Sequence, residues 1–501
     1  MLDQAPILTI IFPLIFAVIT PLLGWVKKEF CYPWVIAALC LSSVCSIITL
    51  ERVLCHGVIH YHFGNWSPPW GIEYVIDHLN SFVLVLVTSV SLLVAISSKR
   101  SIEKEIPQKE VYFYTLFLLQ VTGFLGIVAT GDIFNLYVFL EIASLAGYAL
   151  IAVGEKHASF ASFRYVVMGT IGACFYLLGV GYLYMATGSL NMADLSKILP
   201  ELYHSKVILV AFIFFMVGLA IKMAIFPLHT WLPDAYTYAP SATSALVAPL
   251  MTKVSVYVMI RIIYTVFQPN FTMEMVPINS IISWVAVAAI LYGIIMALGQ
   301  KDLKRMFCYI LIAEMGYMLG GIGLANKMGI TGAILHILND ALMITCLFLV
   351  AGAVVYKRGG HHISQMKNNF KTMPFSMAAF AVVGLSLIGV PPTCGFFSKW
   401  YLILGAIEAH HWAFLTALIL SSAVNAILFF KIVEIAYYGE ESSSGVPHVH
   451  VGTHHSHSTI DEAPASILIP LGITALAILL VGIFSAKIVS GVIQYAVPPN
   501  L

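Results

Sequence analysis

The chain has 501 residues, 60% of them hydrophobic and only 10% charged, with a formal net charge of +1. Soluble domains carry roughly 25% charged residues, so a water-soluble globular protein is excluded. A mean hydropathy of +0.92 points instead to an all-α polytopic membrane protein.

At roughly 20 apolar residues per crossing, the apolar runs predict about fourteen spans. Spans 1 to 7 are expected near 5–25, 32–54, 77–98, 111–130, 132–153, 163–187 and 206–226. Spans 8 to 14 are expected near 241–267, 276–298, 305–324, 329–356, 375–408, 412–437 and 466–494, the twelfth being broken. The first apolar segment lacks a basic leader and a small-residue cleavage pattern, so it is expected to remain as a membrane helix. Placing the N-terminus outside puts fifteen basic residues, including Lys27, Lys28, Lys99, Arg100, Lys104 and Arg164, on the cytoplasmic side. Only Arg52, Lys197, Lys206, Arg261 and Lys327 fall on the other side. The excess of basic residues inside predicts that both termini lie outside.

Five basic residues remain within helices: Lys222, Lys253, Lys399, Lys431 and Lys487. A charge at mid-helix costs about 2.5–3.5 kcal/mol on insertion scales, and such residues usually face the bundle interior and mark ion paths. Glu141 lies near the middle of span 5, Lys222 late in span 7, Lys253 midway along span 8, His336 in span 11 and Lys399 in span 12. Static hydrogen-bonded packing or snorkelling to the interface would account for one such lysine. A series of Glu, Lys, Lys, His and Lys on bundle helices has the composition of a proton relay, because a neighbouring carboxylate changes how firmly a lysine holds its proton. His336 and Asp340 stand at i and i+4 on one helix face, so they form either a hydrated relay site or a mutually satisfied pair. Glu314 in span 10 reads as an auxiliary candidate near a helix end.

Pro227 and Pro233 in "FPLHTWLPDA", and Pro391 with Pro392 in "GVPPTCGFFSKW", interrupt two helices within two turns of a lysine. Inside a membrane such breaks persist only where protein or water satisfies the freed backbone groups. Broken helices in matching positions are the mark of inverted repeats. The expected organisation is spans 1–3 in residues 1–110, a first repeat of spans 4–8 in 111–267 and a second of spans 9–13 in 276–437. A polar His-rich loop (438–465) and a last helix (466–501) follow. "AGY" at 146–148 echoes "MGY" at 315–317, although in the first half the lysine precedes the proline and in the second it follows.

The eight cysteines are scattered without C-x-x-C or iron–sulfur spacing, and are expected as small core residues. There is no G-x-G-x-x-G and no P-loop, so no cofactor, nucleotide site or catalytic centre is expected, and no nucleic-acid partner. The segment "GVPHVHVGTHHSHS" at 445–458 reads as a polar loop on the cytoplasmic side, and no metal ligands are assigned.

The strings "GDIFNLYVFLEIASLAGYALIA", "KMAIFPLHTWLPDAYTYAPSATSALVAPLMTKVSVYVMIR", "KDLKRMFCYILIAEMGYMLGGIG" and "GVPPTCGFFSKW" resemble the antiporter-like membrane subunits of Mrp-type sodium/proton antiporters, respiratory complex I and membrane-bound hydrogenases. The resemblance is strongest to the Mrp D type. It implies a proton-conducting subunit of a multisubunit monovalent cation/proton antiporter in a prokaryotic plasma membrane, with a redox-driven complex as the alternative. It also implies that Glu141 pairs with Lys222, that Lys253 and His336 relay protons through the centre, and that Lys399 ends the series. Arg164 occupies a position from which a basic residue can switch the partner of Glu141. Two departures stand out: Asp340 lies where the family commonly has a second histidine, and Ile344 where it commonly has a lysine.

Overall fold

In the computed structural model, residues 4–154, 157–438 and 460–498 are described. Twelve of their helices are long and apolar enough to cross a membrane. The two expected crossings missing from that set are spans 7 and 12, and both are broken. Span 7 runs Lys206–Lys222, turns, and resumes as the short helix Leu232–Tyr238. Span 12 runs Pro374–Ile388 and resumes as Cys394–Glu408. Each first half-helix ends in left-handed backbone, at Ala224 (φ 53°) and Gly389 (φ 93°). Glycine suits the second break for another reason. A Cβ at Gly389 would come within 3.3 Å of the Lys399 stem.

Span 8 (Ser241–Ile260), span 10 (Leu303–Gly323) and span 11 (Lys327–Arg358) are buried almost from end to end and form the middle of the bundle. A helix that is apolar all round packs this way because no face has to meet water. Spans 1, 2, 13 and 14 leave most of their surface open, as expected of helices facing lipid or partner chains. Lys431 and Lys487 are exposed on such outer helices. Of the cysteines, Cys31, Cys308, Cys346 and Cys394 are buried, whereas Cys40, Cys55 and Cys174 are exposed and Cys45 is intermediate. The core reading therefore applies to four of the eight.

The relative sidedness of the connections is fixed by contacts. Lys104 donates to the Tyr356 carbonyl and Lys304 to that of Ala239, so the connections after spans 3, 7, 9 and 11 share one face. Arg261 meets Asp77, and Gln268 donates to the Ser196 carbonyl, on the opposite face. Burial alone would raise the Asp77 carboxyl, but the Arg261 guanidinium and two backbone N–H donors hold it below the usual range.

Asp132 caps span 5 (Ile133–Ala152) and pairs through its backbone with Asn191, just beyond span 6 (Ala158–Thr187). Asp302 caps span 10 and pairs in the same way with His362, just beyond span 11. The same clasp thus closes spans 5–6 on one face and spans 10–11 on the other. On the Asp132 face an antiparallel hairpin of β1 (Ile59–His62) and β2 (Glu73–Ile76), which the apolar pattern did not reveal, covers the ends of the helices. The His-rich segment 445–458 lies outside the described residues.

Candidate functional site

The first break places Lys222 at the last turn of its half-helix, where the chain stops supplying helical hydrogen bonds. Its Nζ donates to Ser144 Oγ at 2.7 Å and stands 3.5 Å from Glu141 Oε1. Ser144 and Glu141 lie three residues apart on span 5 and so present one face to the lysine. The Ile221 carbonyl, in the last turn before the break, accepts from Trp231 Nε1 at 3.2 Å. Trp231 in turn stacks on Tyr165 with centroids 4.1 Å apart.

The centre is a group of four charged or titratable side chains on spans 8, 10 and 11. Lys253 Nζ is 2.6 Å from Asp340 Oδ2, and His336 Nε2 is 2.9 Å from Glu314 Oε2. All four are fully or almost fully buried. Burying two such pairs away from water is tolerated only when each charge finds its complement. Asp340 thus joins span 11, through Lys253, to span 8. Glu314, His336 and Asp340 offer ligand atoms within 4.8 Å of one another, a spacing that would suit a cation. The Lys253 ammonium already fills that role for Asp340.

Three expectations change. Glu314 lies at mid-helix and is wholly buried, not near a helix end. His336 and Asp340 do not satisfy each other, because each takes a partner from another helix. Arg164 is paired with Asp234 at 2.5 Å, and Arg305 of span 10 meets the other oxygen of the same carboxylate at 3.2 Å. Asp234, which the apolar pattern alone did not single out, therefore pins the short helix after the first break to both halves. Its signal was present in "WLPDA", a carboxylate one residue after a proline in a helix that ought to be apolar.

His336 Nδ1 meets Ser398 Oγ at 2.9 Å, which brings the centre to the second break. Next to it, Lys399 Nζ donates to the Leu387 carbonyl at 2.6 Å and to Ser422 Oγ at 3.0 Å, and lies 5.0 Å from the Tyr317 ring centre. Leu387 lies in the last turn of the first half-helix of span 12, so the acceptor is a carbonyl that the break has freed. Among the described residues Lys399 has no carboxylate partner within ion-pair distance, and no direct hydrogen bond joins Lys222 to Lys253. Ile344, one turn beyond Asp340, is wholly buried. A cavity of ≈ 470 Å³ between the halves, lined by Lys104, Glu105, Tyr238, Lys304 and His361, opens on the face where span 8 begins.

Residues 130–424 match the family described as NADH:quinone oxidoreductase/Mrp antiporter, TM. Over 502 residues the chain is 43% identical to the N-type subunit of an NADH-quinone oxidoreductase of Desulforudis audaxviator, covering all of both. It is 33% identical over 399 residues to the D-type subunit of a Na(+)/H(+) antiporter of Alkalihalophilus pseudofirmus, covering 79% of each. Its fold superposes with a TM-score of 0.89 and 29% identity on a chain of an archaeal membrane-bound sulfane sulfur reductase, covering 98% of this chain and 96% of that one. The family match spans more than half the chain and the first relative spans it all. The chain belongs to the antiporter-like, proton-translocating membrane subunits found in NADH:quinone oxidoreductases and Mrp antiporters.

Proposed function

We propose that this chain is the proton-conducting membrane subunit of a redox-driven respiratory complex of the NADH:quinone oxidoreductase type. The observation that carries this reading is the 43% identity to the N-type oxidoreductase subunit over the whole of both chains, against 33% over 79% for the D-type antiporter subunit. That balance turns around the order expected from the sequence, where the antiporter came first. The sodium or potassium/proton antiporter remains the second reading because the D-type antiporter relative covers about four fifths of the chain.

In either assembly the relay would run from Glu141 and Lys222, through Lys253 and Asp340, to His336 with Glu314, and on to Lys399. Two unit charges 3.5 Å apart, as in Glu141 and Lys222, attract by about 5 kcal/mol at an effective dielectric constant of roughly 20. Doubling their separation would halve that attraction and loosen the hold of Lys222 on its proton. The proton then passes to Lys253 over water, since no side chain bridges the two. Arrival of the proton turns a neutral Lys253 amine into an ammonium and strengthens its pull on Asp340, which lies close enough to His336 and Glu314 to pass the disturbance on. In the plasma membrane the face carrying Lys104 and Lys304 would be cytoplasmic, as the excess of basic residues there implies.

The test is transport by the purified complex in sealed vesicles. Oxidation of an electron donor should acidify or alkalinise the lumen without any added sodium gradient. Proton movement that appears only with a sodium or potassium gradient, from a complex lacking iron–sulfur partners, would favour the antiporter instead.

A further inference from the structure

The first half-helix of span 12 (Pro374–Ile388) and span 14 (Ala465–Ile483) run side by side on the outside of the bundle. Both begin on the face shared by Lys104 and Lys304. Lys357, at the end of span 11, meets Asp461 at 2.5 Å, and the Asp461 N–H donates to the Thr372 carbonyl at 2.8 Å. Small residues line the gap between the two helices, among them Ala378, Ala379, Gly472 and Ala475, and they leave an apolar groove of ≈ 490 Å³. From Ala465 to Ala475 the groove follows ten residues of helix, which rise about 15 Å, half of the ~30 Å hydrocarbon core. It therefore spans one leaflet, the cytoplasmic one in the orientation that the basic residues imply. The rim carries two acids, and both are matched: Asp461 by Lys357, and Glu462 by the N–H groups of Phe375 and Ser376 at the start of the half-helix. Lys371 on the same rim is exposed and, among the described residues, has no carboxylate within ion-pair distance. Arg358 adds a second positive charge beside it, donating to Thr372 Oγ1 at 2.8 Å.

We propose that this groove holds one acyl chain of an anionic phospholipid, with the phosphate at the rim beside Lys371 and Arg358. An apolar groove one leaflet deep fits an acyl chain. A cationic rim in the cytoplasmic leaflet selects an acidic headgroup over a zwitterionic one. A helix of a partner chain would run on through both leaflets, whereas the groove stops at mid-membrane. The chain would lie against the half-helix whose last turn offers the Leu387 carbonyl to Lys399. A bound lipid would thereby steady the acceptor of the second half.

The test counts the lipids retained by the whole purified complex. The complex is washed in detergent, offered phosphatidylglycerol or phosphatidylcholine with the same acyl chains, and read by native mass spectrometry. It should keep one more phosphatidylglycerol than phosphatidylcholine. Gly472→Leu should lose that lipid: an added Cβ there meets nothing within 4 Å, so the new side chain fills the groove and leaves the packing intact. Lys371→Gln should weaken the preference for phosphatidylglycerol by about fivefold, the share of one basic residue near an anionic surface. A photo-crosslinker at Ile469, which is exposed and lines the groove, should capture phosphatidylglycerol. The proposal is overturned if the crosslinker captures a partner subunit, if Gly472→Leu keeps the same lipid count, or if the two lipids are retained equally.

Discussion

The two broken helices solve one problem in different ways. In the first half, Lys222 faces a carboxylate and a serine supplied by a neighbouring span. In the second, Lys399 leans on a serine and on a carbonyl released by its own break, while the buried carboxylate of that half, Glu314, is turned to His336. The first lysine is thus held by a charge and the second by dipoles. An ammonium beside a carboxylate keeps its proton until the pair separates. An ammonium among neutral oxygens can give its proton up without leaving an unpaired anion behind. The difference suits the proposed relay, which would load at one end and discharge at the other.

This contrast can be broken by substitution, with initial rates of proton transport in vesicles as the readout. Lys222→Ala should have the largest effect. Removing one partner of a buried pair costs about 3–5 kcal/mol, and a barrier raised by that much slows transport by roughly 10²–10⁴-fold. Unchanged transport would remove Lys222 from the path. Asp340→Asn should come next, with a loss of about tenfold to a hundredfold, since it leaves the Lys253 ammonium buried without its counter-charge. Glu314→Gln keeps the shape of the site and removes only the charge facing His336, for which about a tenfold loss is expected, or ~1.4 kcal/mol. A loss as large as that of Lys222→Ala would show that the second half also depends on a carboxylate, and would erase the distinction drawn above.

Two smaller effects sharpen it. Asp234→Asn frees Arg164 and Arg305 from the short helix, both of them partly exposed. Partly exposed pairs contribute little each, so a loss of only about threefold is expected, in line with ~0.5–1 kcal/mol. If Arg164 then turns to Glu141, the loss should instead approach that of Lys222→Ala, because Glu141 would have two competing cations. Ser422→Ala should slow transport by about twofold, since the Leu387 carbonyl still accepts from Lys399 and the net loss then stands at the low end of a single hydrogen bond's contribution, ~0.5 kcal/mol.

Much of this was legible in the sequence because the membrane makes charge conspicuous. Glu141, Lys222, Lys253, His336 and Lys399 each stood out as an ionisable residue in an apolar run, and two of them sat beside prolines that broke their helices. The pairing across helices was not legible, because nothing in the spacing of one span says which residue of another it will face. Asp340 therefore read as a departure from the family pattern, although in three dimensions it is the partner of Lys253. Glu314 was misplaced through its helix limits: moving the start of span 10 to Leu303 puts it at the middle. The hairpin escaped because β1 and β2 are only four residues each, too short for an alternating pattern to rise above the surrounding aromatic residues. Its histidines and Glu73 meet only through the register of the strands.

The acceptor chosen by Lys399 has one more consequence. A main-chain oxygen is not encoded by any single codon: whatever residue replaces Leu387, its carbonyl remains. The second-half site is therefore inherited through the course of the backbone, and substitutions around it can accumulate while the break keeps its shape. The first-half site has no such insurance, because Glu141 is one side chain and one mutation removes it. A saturation scan of both halves should accordingly find other apolar residues tolerated at the buried position 387 and almost nothing tolerated at 141.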